Sequence, residues 1–356
     1  MKYALIGCGR ISCHHIQAAK NNQLDIVAIC DIDAKKMNEN MRFLDCGNKY
    51  TDYMEMLKKE KPALVAIATE SGKHAQIAID CIQMGCHVII EKPIALSIED
   101  ANYIIQIAKE KGVLVCVSHQ NRFNQSIQYT HRALEEGRFG KIIHGSAHLY
   151  WNRNQDYYQQ ASWRGTWQQD GGALMNQCIH NIDLLCWFMG SEIDEVFAYT
   201  DNLKHSFIEV EDLGIALVKF KNGTYGVIEG TTNVYPQNLE ESLYLFGQSA
   251  TVKVGGKSVN EILEWNFLDG LDDALEVKKT YSETPPNVYG YGHTPLYQDM
   301  IDAILNHRQP LVNGEEGKKA LELILAIYQS SFQRKPIKLP LSKASTIDFK
   351  GQFKNE

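Results

Sequence analysis

The chain has 356 residues, 44% of them hydrophobic and 22% charged, and a formal net charge of −7. Single cores seldom grow past roughly 250 to 300 residues, so this length suits two domains. A negative balance without a basic block excludes nucleic acid as an expected partner, and no apolar stretch approaches the roughly 20 residues that span a bilayer.

The opening "MKYALIGCGR" has an apolar run too short for a signal peptide. Nine cysteines, an odd number with no CxxC pair, argue against a disulfide framework and against a zinc site. They are expected to be reduced core residues of a cytoplasmic protein.

The first 120 residues alternate apolar runs with helix-period segments. "KYALIGC" precedes a helix from about Ser12 to Asn22, and "LDIVAICD" precedes "AKKMNENMRFL". "PALVAIAT" leads into "KHAQIAIDCIQMG", followed by "HVIIEKP", "SIEDANYIIQIAKEKG" and "LVCVSHQN". Strand and helix in succession predict βαβ units and a parallel sheet covered on both faces.

"LIGCGRIS" lies where the first strand turns into the first helix. Gly7 allows the tight turn, and Gly9 lets backbone approach a pyrophosphate at the helix N-terminus, with Arg10 and Ile11 alongside. Ser12 stands where the fingerprint has its third glycine. Asp31 ends the next strand, 22 residues after Gly9. An acid there accepts hydrogen bonds from the adenosine ribose and repels a 2′-phosphate, which favours NAD over NADP. Thr69 and His74, after the third strand of this reading, are expected to border the cofactor.

In a doubly wound sheet the strand C-termini open onto the ligand crevice. Glu91, Lys92 and Pro93 form such a terminus and are expected beside the nicotinamide. Pro93 restricts Lys92 to extended backbone. Partial desolvation and the cofactor's positive ring would draw the lysine toward a pKa useful for acid–base work. In isolation the tripeptide reads first as a solvated ion pair at a strand end, and the upstream glycine fingerprint reverses the preference to the functional reading.

After about residue 123 the pattern changes. A helix, "QSIQYTHRALEEGRFG", leads into the strand "KIIHGSAHLYW". "ALVKFKNGTYGVIEGTTNV" predicts a hairpin with Asn222-Gly223 as a two-residue turn, and "SLYLFGQSATVKVGG" a second hairpin. The expectation is an α/β dinucleotide-binding domain over 1–122 and an α+β domain over 123–356 with a mostly antiparallel sheet. "TPLYQDMIDAILNH" and "GKKALELILAIYQSSF" are helices that pack on either one.

"DGGALMNQCIHNIDLLCWFMG" predicts a helix that is apolar on nearly every side. One polar stripe, Asn176, His180 and Asp183, runs through it at i, i+4 and i+7. Buried polar groups need partners, so the stripe either bonds within the core or lines a cleft. Three polar residues in line after a Gly-Gly turn favour the cleft.

These stretches together resemble the glucose–fructose oxidoreductase, inositol dehydrogenase and rhizopine catabolism family of NAD(P)-dependent sugar oxidoreductases. "ALIGCGRIS", Asp31, "EKPIALS", "VSHQNRF" and the helix with Asn176 and His180 carry the resemblance, which covers essentially the whole chain. It implies a Rossmann domain plus a large open, mostly antiparallel sheet, an active site between the domains, and Lys92 and His180 as the catalytic pair. Many members have an aspartate four residues before the histidine. Asn176 in its place implies hydrogen bonding to substrate rather than proton shuttling. Members commonly pair the open faces of their sheets, which implies a homodimer or homotetramer.

Residues 150–185 are more narrowly similar to dehydrogenases that oxidise the 3-hydroxyl of UDP-N-acetylglucosaminuronic acid for bacterial surface polysaccharides. "HQNRFN", "YYQQASWRGTW" and "MNQCIHNIDLL" carry this likeness. Such a substrate brings a carboxylate and a diphosphate, and Arg122, Arg153 and Arg164 are the anion contacts on offer, with Asn124 beside them. Trp163 and Trp167 flank Arg164 and are expected to wall the sugar or the nicotinamide, unless they make structural cation–π contacts. Gln120 is expected on the nicotinamide side. The reaction implied is hydride transfer to NAD while His180 or Lys92 takes the hydroxyl proton, with 2-oxoglutarate as a conceivable acceptor if NAD stays bound. The rival readings are a dehydrogenase of a free aldose, inositol or other polyol, and a non-catalytic NAD-dependent sensor.

Overall fold

The computed structural model describes residues 1–41, 47–190, 192–285 and 287–353. The first stretch runs β1 (Lys2–Ile6), α1 (Ser12–Asn21), β2 (Asp25–Cys30), α2 (Ala34–Met41), β3 (Asn48–Tyr50), α3 (Tyr53–Glu60), β4 (Leu64–Ile67), α4 (His74–Gln83), β5 (His87–Ile90), α5 (Ile98–Lys111) and β6 (Val115–Val117). The six strands form a parallel sheet in the order β3-β2-β1-β4-β5-β6. Chain order reverses across β1, which places a ligand crevice at the C-terminal ends of β1 and β4. The central strands are buried on both faces, which is why they read as unbroken apolar runs.

Two elements of this first stretch escape the sequence reading. β3 is a three-residue edge strand without a buried residue, so it lacks the apolar signature of its neighbours. α3 does carry a start signal, since the Asp52 carboxylate accepts from the Met54 and Glu55 N–H groups. The expected extension of α2 through Leu44 lies outside the described residues.

The second stretch runs α6 (Gln125–Glu135), β7 (Ile142–Tyr150), α7 (Gln155–Gln159), a π-helical turn (Leu174–Cys178) continuing into α8 (Ile179–Met189), β8 (Ile193–Asp201), β9 (Leu213–Phe220), β10 (Tyr225–Thr231), β11 (Glu240–Gly247), β12 (Ala250–Gly255), β13 (Glu261–Phe267) and α9 (Ala274–Thr280). α10 (His293–Leu305), α11 (Gly314–Gln333) and β14 (Ile337–Lys338) follow. The second sheet has the order β13-β12-β11-β7-β10-β9-β8-β14. β7 and β10 pair in parallel, and the other pairings are antiparallel. The alternation of buried and open positions along β9 shows one covered face and one open face. α8 lies against β7, β10 and β11.

The β9–β10 hairpin differs from expectation. The Phe220 N–H donates to the Thr224 carbonyl at 3.0 Å, so the loop is three residues, Lys221 to Gly223. Gly223 takes φ +83°, the left-handed position that such loops require.

Met1–His119 and His293–Lys318 form one compact unit, and Gln120–Gly292 with the chain from Lys319 onward forms another. The division therefore falls between His119 and Gln120 rather than after residue 122. α10 returns to the first unit, where it packs on α1 and Asn22 Nδ2 donates to the Thr294 carbonyl at 3.0 Å.

A buried acid organises the start of the π-helical turn in the second unit. Gly172 has φ +102°, and a Cβ there would fall 1.9 Å from Glu211 Oε2. Glu211 Oε1 accepts from the Leu174 N–H and the Tyr328 hydroxyl, both at 2.8 Å. Burial nonetheless pushes the Glu211 carboxyl up to about 8. Its proton is thus retained in the fold between its ordinary value of 4.5 and about 8. Its contribution to stability is complete below pH 4.5 and is lost as pH rises toward 8. Glu211→Gln, which mimics the protonated acid, is expected to match the parent at pH 5 and to exceed it by roughly 3 kcal/mol at pH 8 in urea unfolding. A difference independent of pH would contradict this account.

Candidate active site

In the first unit, the loop between β1 and α1 is shaped by its glycines. Gly7 has φ +98°, and a Cβ would lie 2.5 Å from the Ala68 carbonyl carbon. Only glycine fits that turn. A Cβ on Gly9 would meet no atom within 4 Å, so backbone here is open to approach. α1 starts with no acidic residue in its first turn and no side-chain cap, so the positive end of its dipole is not offset by its own side chains and suits an anion. Arg10 is exposed and Ile11 half-buried at the same corner.

Asp31 is tied to this loop. Its Oδ2 accepts from the Cys8 N–H at 2.7 Å and its Oδ1 from the Asp33 N–H at 2.8 Å. A carboxylate oxygen has lone pairs for more than one donor, so both can also receive ribose hydroxyls. Ile32, 91% exposed, adds an apolar surface beside the acid that the sequence reading missed. These residues fit NAD: a diphosphate at the helix start and a ribose at Asp31.

The end of β5 departs from the reading in two places. Glu91 is buried, and its Oε1 lies 3.0 Å from His15 Nε2 and 3.7 Å from His293 Nε2. It is turned into the core rather than toward a cofactor. Burial favours the neutral acid, but the hydrogen bond from His15 and the proximity of His293 hold it well below the usual carboxylate range. His74 is also buried, with Nδ1 2.7 Å from the Pro93 carbonyl and Nε2 3.2 Å from the Thr69 carbonyl. Both ring nitrogens serve the backbone, so His74 supports the site without facing it. Burial lowers its pKa, against the pull of the two carbonyls. Thr69 and Lys92 are half-buried at the strand ends, and Pro93 is buried.

In the second unit, the polar stripe divides. Asp183 is 1% exposed and accepts from Arg122 Nε and Nη2 at 2.7 and 2.6 Å. The Arg122 guanidinium also lies 4.9 Å from the Trp187 ring centre. Arg122 is thereby withdrawn from the expected anion contacts, because the side chain is buried and its Nε–Nη2 edge and its face are committed in the core. Asn124 is withdrawn as well: it is buried, with Nδ2 donating to the Ser258 carbonyl at 2.6 Å. Trp167 is wholly buried against Tyr328 and Phe349 and walls no ligand.

Asn176 and His180 stay half-buried on a segment whose other residues from Gly171 to Cys186 are all buried. Asn176 lies in the π-helical turn, a geometry frequent at functional sites. Its amide donates to Asp170 Oδ1 and its Oδ1 accepts from Gln177 Nε2 at 3.0 Å. Gln120 Nε2 lies 3.5 Å from His180 Nε2.

Beside this pair stands a ladder of arginine and aromatic side chains. The Arg153 guanidinium lies 4.6 Å from the Trp151 ring centre and 4.9 Å from that of Tyr157. Arg164 lies 4.2 Å from the Tyr157 ring centre and 4.6 Å from that of Trp163. Gln177 connects the ladder to the helix, accepting from Arg153 Nε at 3.0 Å and donating to the Tyr157 hydroxyl at 2.9 Å. Neither Arg153 nor Arg164 forms a salt bridge among the described residues. Tyr157, Gln177 and Asp170 were missed in the sequence. Their only signal is nearness in the chain to Arg153, Asn176 and the Gly-Gly turn.

With the glycine cradle, Asp31, the Lys92 strand end and the Asn176–His180 helix in place, the class of protein is defined. Residues 1–119 match the oxidoreductase family with an NAD-binding Rossmann fold, and residues 127–253 match the GFO/IDH/MocA C-terminal domain. The chain belongs to the GFO/IDH/MocA family and is an NAD-dependent oxidoreductase. It is similar to the WlbA dehydrogenase from Bordetella pertussis, solved in complex with NADH and UDP-GlcNAcA, at 37% identity and a TM-score of 0.89, covering 96% of this chain and 98% of that one. The WlbA dehydrogenase from Chromobacterium violaceum, in complex with the same two molecules, is 36% identical with a TM-score of 0.87, covering 96% of each chain. Among curated relatives, the myo-inositol 2-dehydrogenase of Thermotoga maritima is 24% identical, covering 95% of this chain and 98% of its own length.

Two substitutions separate the site's parts. Asp31→Asn is expected to weaken NAD binding about tenfold by isothermal titration, through loss of a charged acceptor, and to leave thermal unfolding unchanged. Asp183→Asn strands a buried guanidinium and is expected to cost about 3 kcal/mol or more in urea unfolding.

Proposed function

We propose that this NAD-dependent sugar dehydrogenase oxidises the C3 hydroxyl of a nucleotide sugar acid of the UDP-N-acetylglucosaminuronate type, in the cytoplasm, for bacterial surface polysaccharide synthesis. The observation that carries the reading is the ladder of Arg153 and Arg164 about Tyr157, two cations without a carboxylate partner among the described residues. Glu241, a buried acid within electrostatic reach of Arg153, is pushed up to about 8 by burial and does not cancel the charge at pH 7. A substrate carboxylate or diphosphate supplies the missing anion, and guanidinium groups suit both by paired hydrogen bonds. The likeness to two dehydrogenases in complex with UDP-GlcNAcA, at 37% and 36% identity over 96% of this chain, supports the same substrate class.

NAD, when bound, supplies the hydride acceptor. His180 takes the hydroxyl proton, its ring held by Gln120, and Lys92 stabilises charge developing on the oxygen. Asn176, braced by Asp170 and Gln177, orients the hydroxyl. If NAD stays bound between turnovers, a 2-oxo acid such as 2-oxoglutarate would serve as the final hydride acceptor. No disulfide links the eight described cysteines, which accords with a reducing compartment. The open face of the second sheet carries Tyr199, Ile215, Leu217 and Tyr225, an apolar surface suited to pairing with a second copy as a homodimer or homotetramer.

A second reading, oxidation of a free polyol or aldose, is supported by the curated myo-inositol 2-dehydrogenase above and by the D-apiose dehydrogenase of Paraburkholderia graminis, 25% identical over 95% of this chain. It gives the arginine ladder no task. The two readings separate by NADH absorbance with UDP-N-acetylglucosaminuronate, free glucose and myo-inositol, each with and without 2-oxoglutarate. The nucleotide sugar acid is expected to turn over, and Lys92→Ala and His180→Ala to lower kcat by about 100-fold or more. Arg153→Ala is expected to raise KM by about tenfold. Turnover of a free polyol alone would overturn the proposal.

A further inference from the structure

Three buried histidines from three helices converge on the strand end that presents Lys92. His15 comes from α1, His74 from the start of α4, and His293 from the start of α10; each is 4% exposed or less. His15 Nε2 is 3.0 Å and His293 Nε2 3.7 Å from the same oxygen of Glu91. His15 Nδ1 lies 2.7 Å from the Tyr297 hydroxyl, which lies 2.9 Å from that of Tyr3. In the tautomer this arrangement allows, Tyr297 donates to Nδ1 and the Nε2 proton is given to Glu91. His74 holds the other flank through the Pro93 and Thr69 carbonyls. His15, Glu91 and Tyr297 satisfy one another and His74 is satisfied by the backbone, as burial of polar groups demands, and the residue enclosed between the two anchored positions is Lys92.

We propose that His15, His74 and His293 are positioning residues for Lys92, anchoring Glu91 on one side and the Pro93 carbonyl on the other so that the lysine ammonium projects in a fixed direction beside a fixed negative charge. The inference rests on the reading of Lys92 as the group that stabilises charge on the substrate oxygen. The groups facing Glu91 are His14 and His15 from α1, His74 from α4, His293 and Tyr297 from α10, with Tyr3 of β1 behind Tyr297. Burial drives His14, His74 and His293 toward their neutral forms. Glu91 is the chain neighbour of Lys92, so a carboxylate kept charged there favours the protonated amine.

The test uses Glu91→Gln, which keeps the shape and removes the charge. Reactivity of the Lys92 amine toward acetic anhydride, followed against pH by mass spectrometry, reads its protonation without any substrate. Its midpoint is expected to fall by about one pH unit in Glu91→Gln, and the basic limb of the kcat/KM profile to move the same way. NAD affinity is expected to stay within about threefold of the parent, because the Glu91 side chain is turned into the core and the substitution keeps its shape. His15→Phe is expected to lower kcat about tenfold or more, and His15→Gln, whose amide can still donate to Glu91, to recover most of it. Equal midpoints in the parent and Glu91→Gln would overturn the proposal, as would one equivalent of zinc held by His15, Glu91 and His293 in the purified protein. Full turnover by Lys92→Ala would instead remove the catalytic reading of Lys92, while the labelling midpoint still decides the clamp.

Discussion

The ion pair between Arg122 and Asp183 decides what the second unit can do. A helix as apolar as α8 tolerates polar side chains only where each has a partner, and the bidentate pair, at 1% exposure on both sides, satisfies one of them completely. With Asp183 consumed, Asn176 and His180 are what the helix offers on its half-buried side. The π-helical turn at Leu174–Cys178 contributes to the same result, since the extra residue per turn shifts Asn176 from the straight register of an α-helix. Glu211 and Gly172 set where that turn begins.

The parallel sheet is legible in the sequence because burial on both faces demands continuous apolar runs, and the glycine turn with Asp31 is legible because backbone geometry leaves few residue choices. β3 and α3 are not legible by the same logic: β3 is open to solvent, and α3 is short with one clear cap. The hairpin at Asn222-Gly223 is correctly placed and misread by one residue, since the dipeptide suits both a two-residue turn and the end of a three-residue loop.

At the site, residue types are more legible than their tasks. Arg122, Arg153 and Arg164 look alike in sequence, and only burial separates the structural one from the two in the aromatic ladder. His74 and Glu91 lie where cofactor contacts are expected, yet their polar atoms are spent on the backbone and on buried histidines. Those partners come from positions as distant as His293 and Tyr297, which no local motif connects to Glu91. The two kinds of buried acid show the same division. Burial, with Asp170 nearby, pushes Glu211 toward its neutral form, whereas Glu91, between two histidines, stays charged.

Which carbon yields its hydride tests the account most directly. UDP-N-acetylglucosaminuronate deuterated at C3 would be incubated with the protein and NAD, with and without 2-oxoglutarate, and the deuterium located by mass spectrometry. The account predicts deuterium in the reduced nicotinamide, or in 2-hydroxyglutarate when the 2-oxo acid is present, together with a 3-oxo sugar. Deuterium retained at C3, with or without oxidation elsewhere on the sugar, would contradict it.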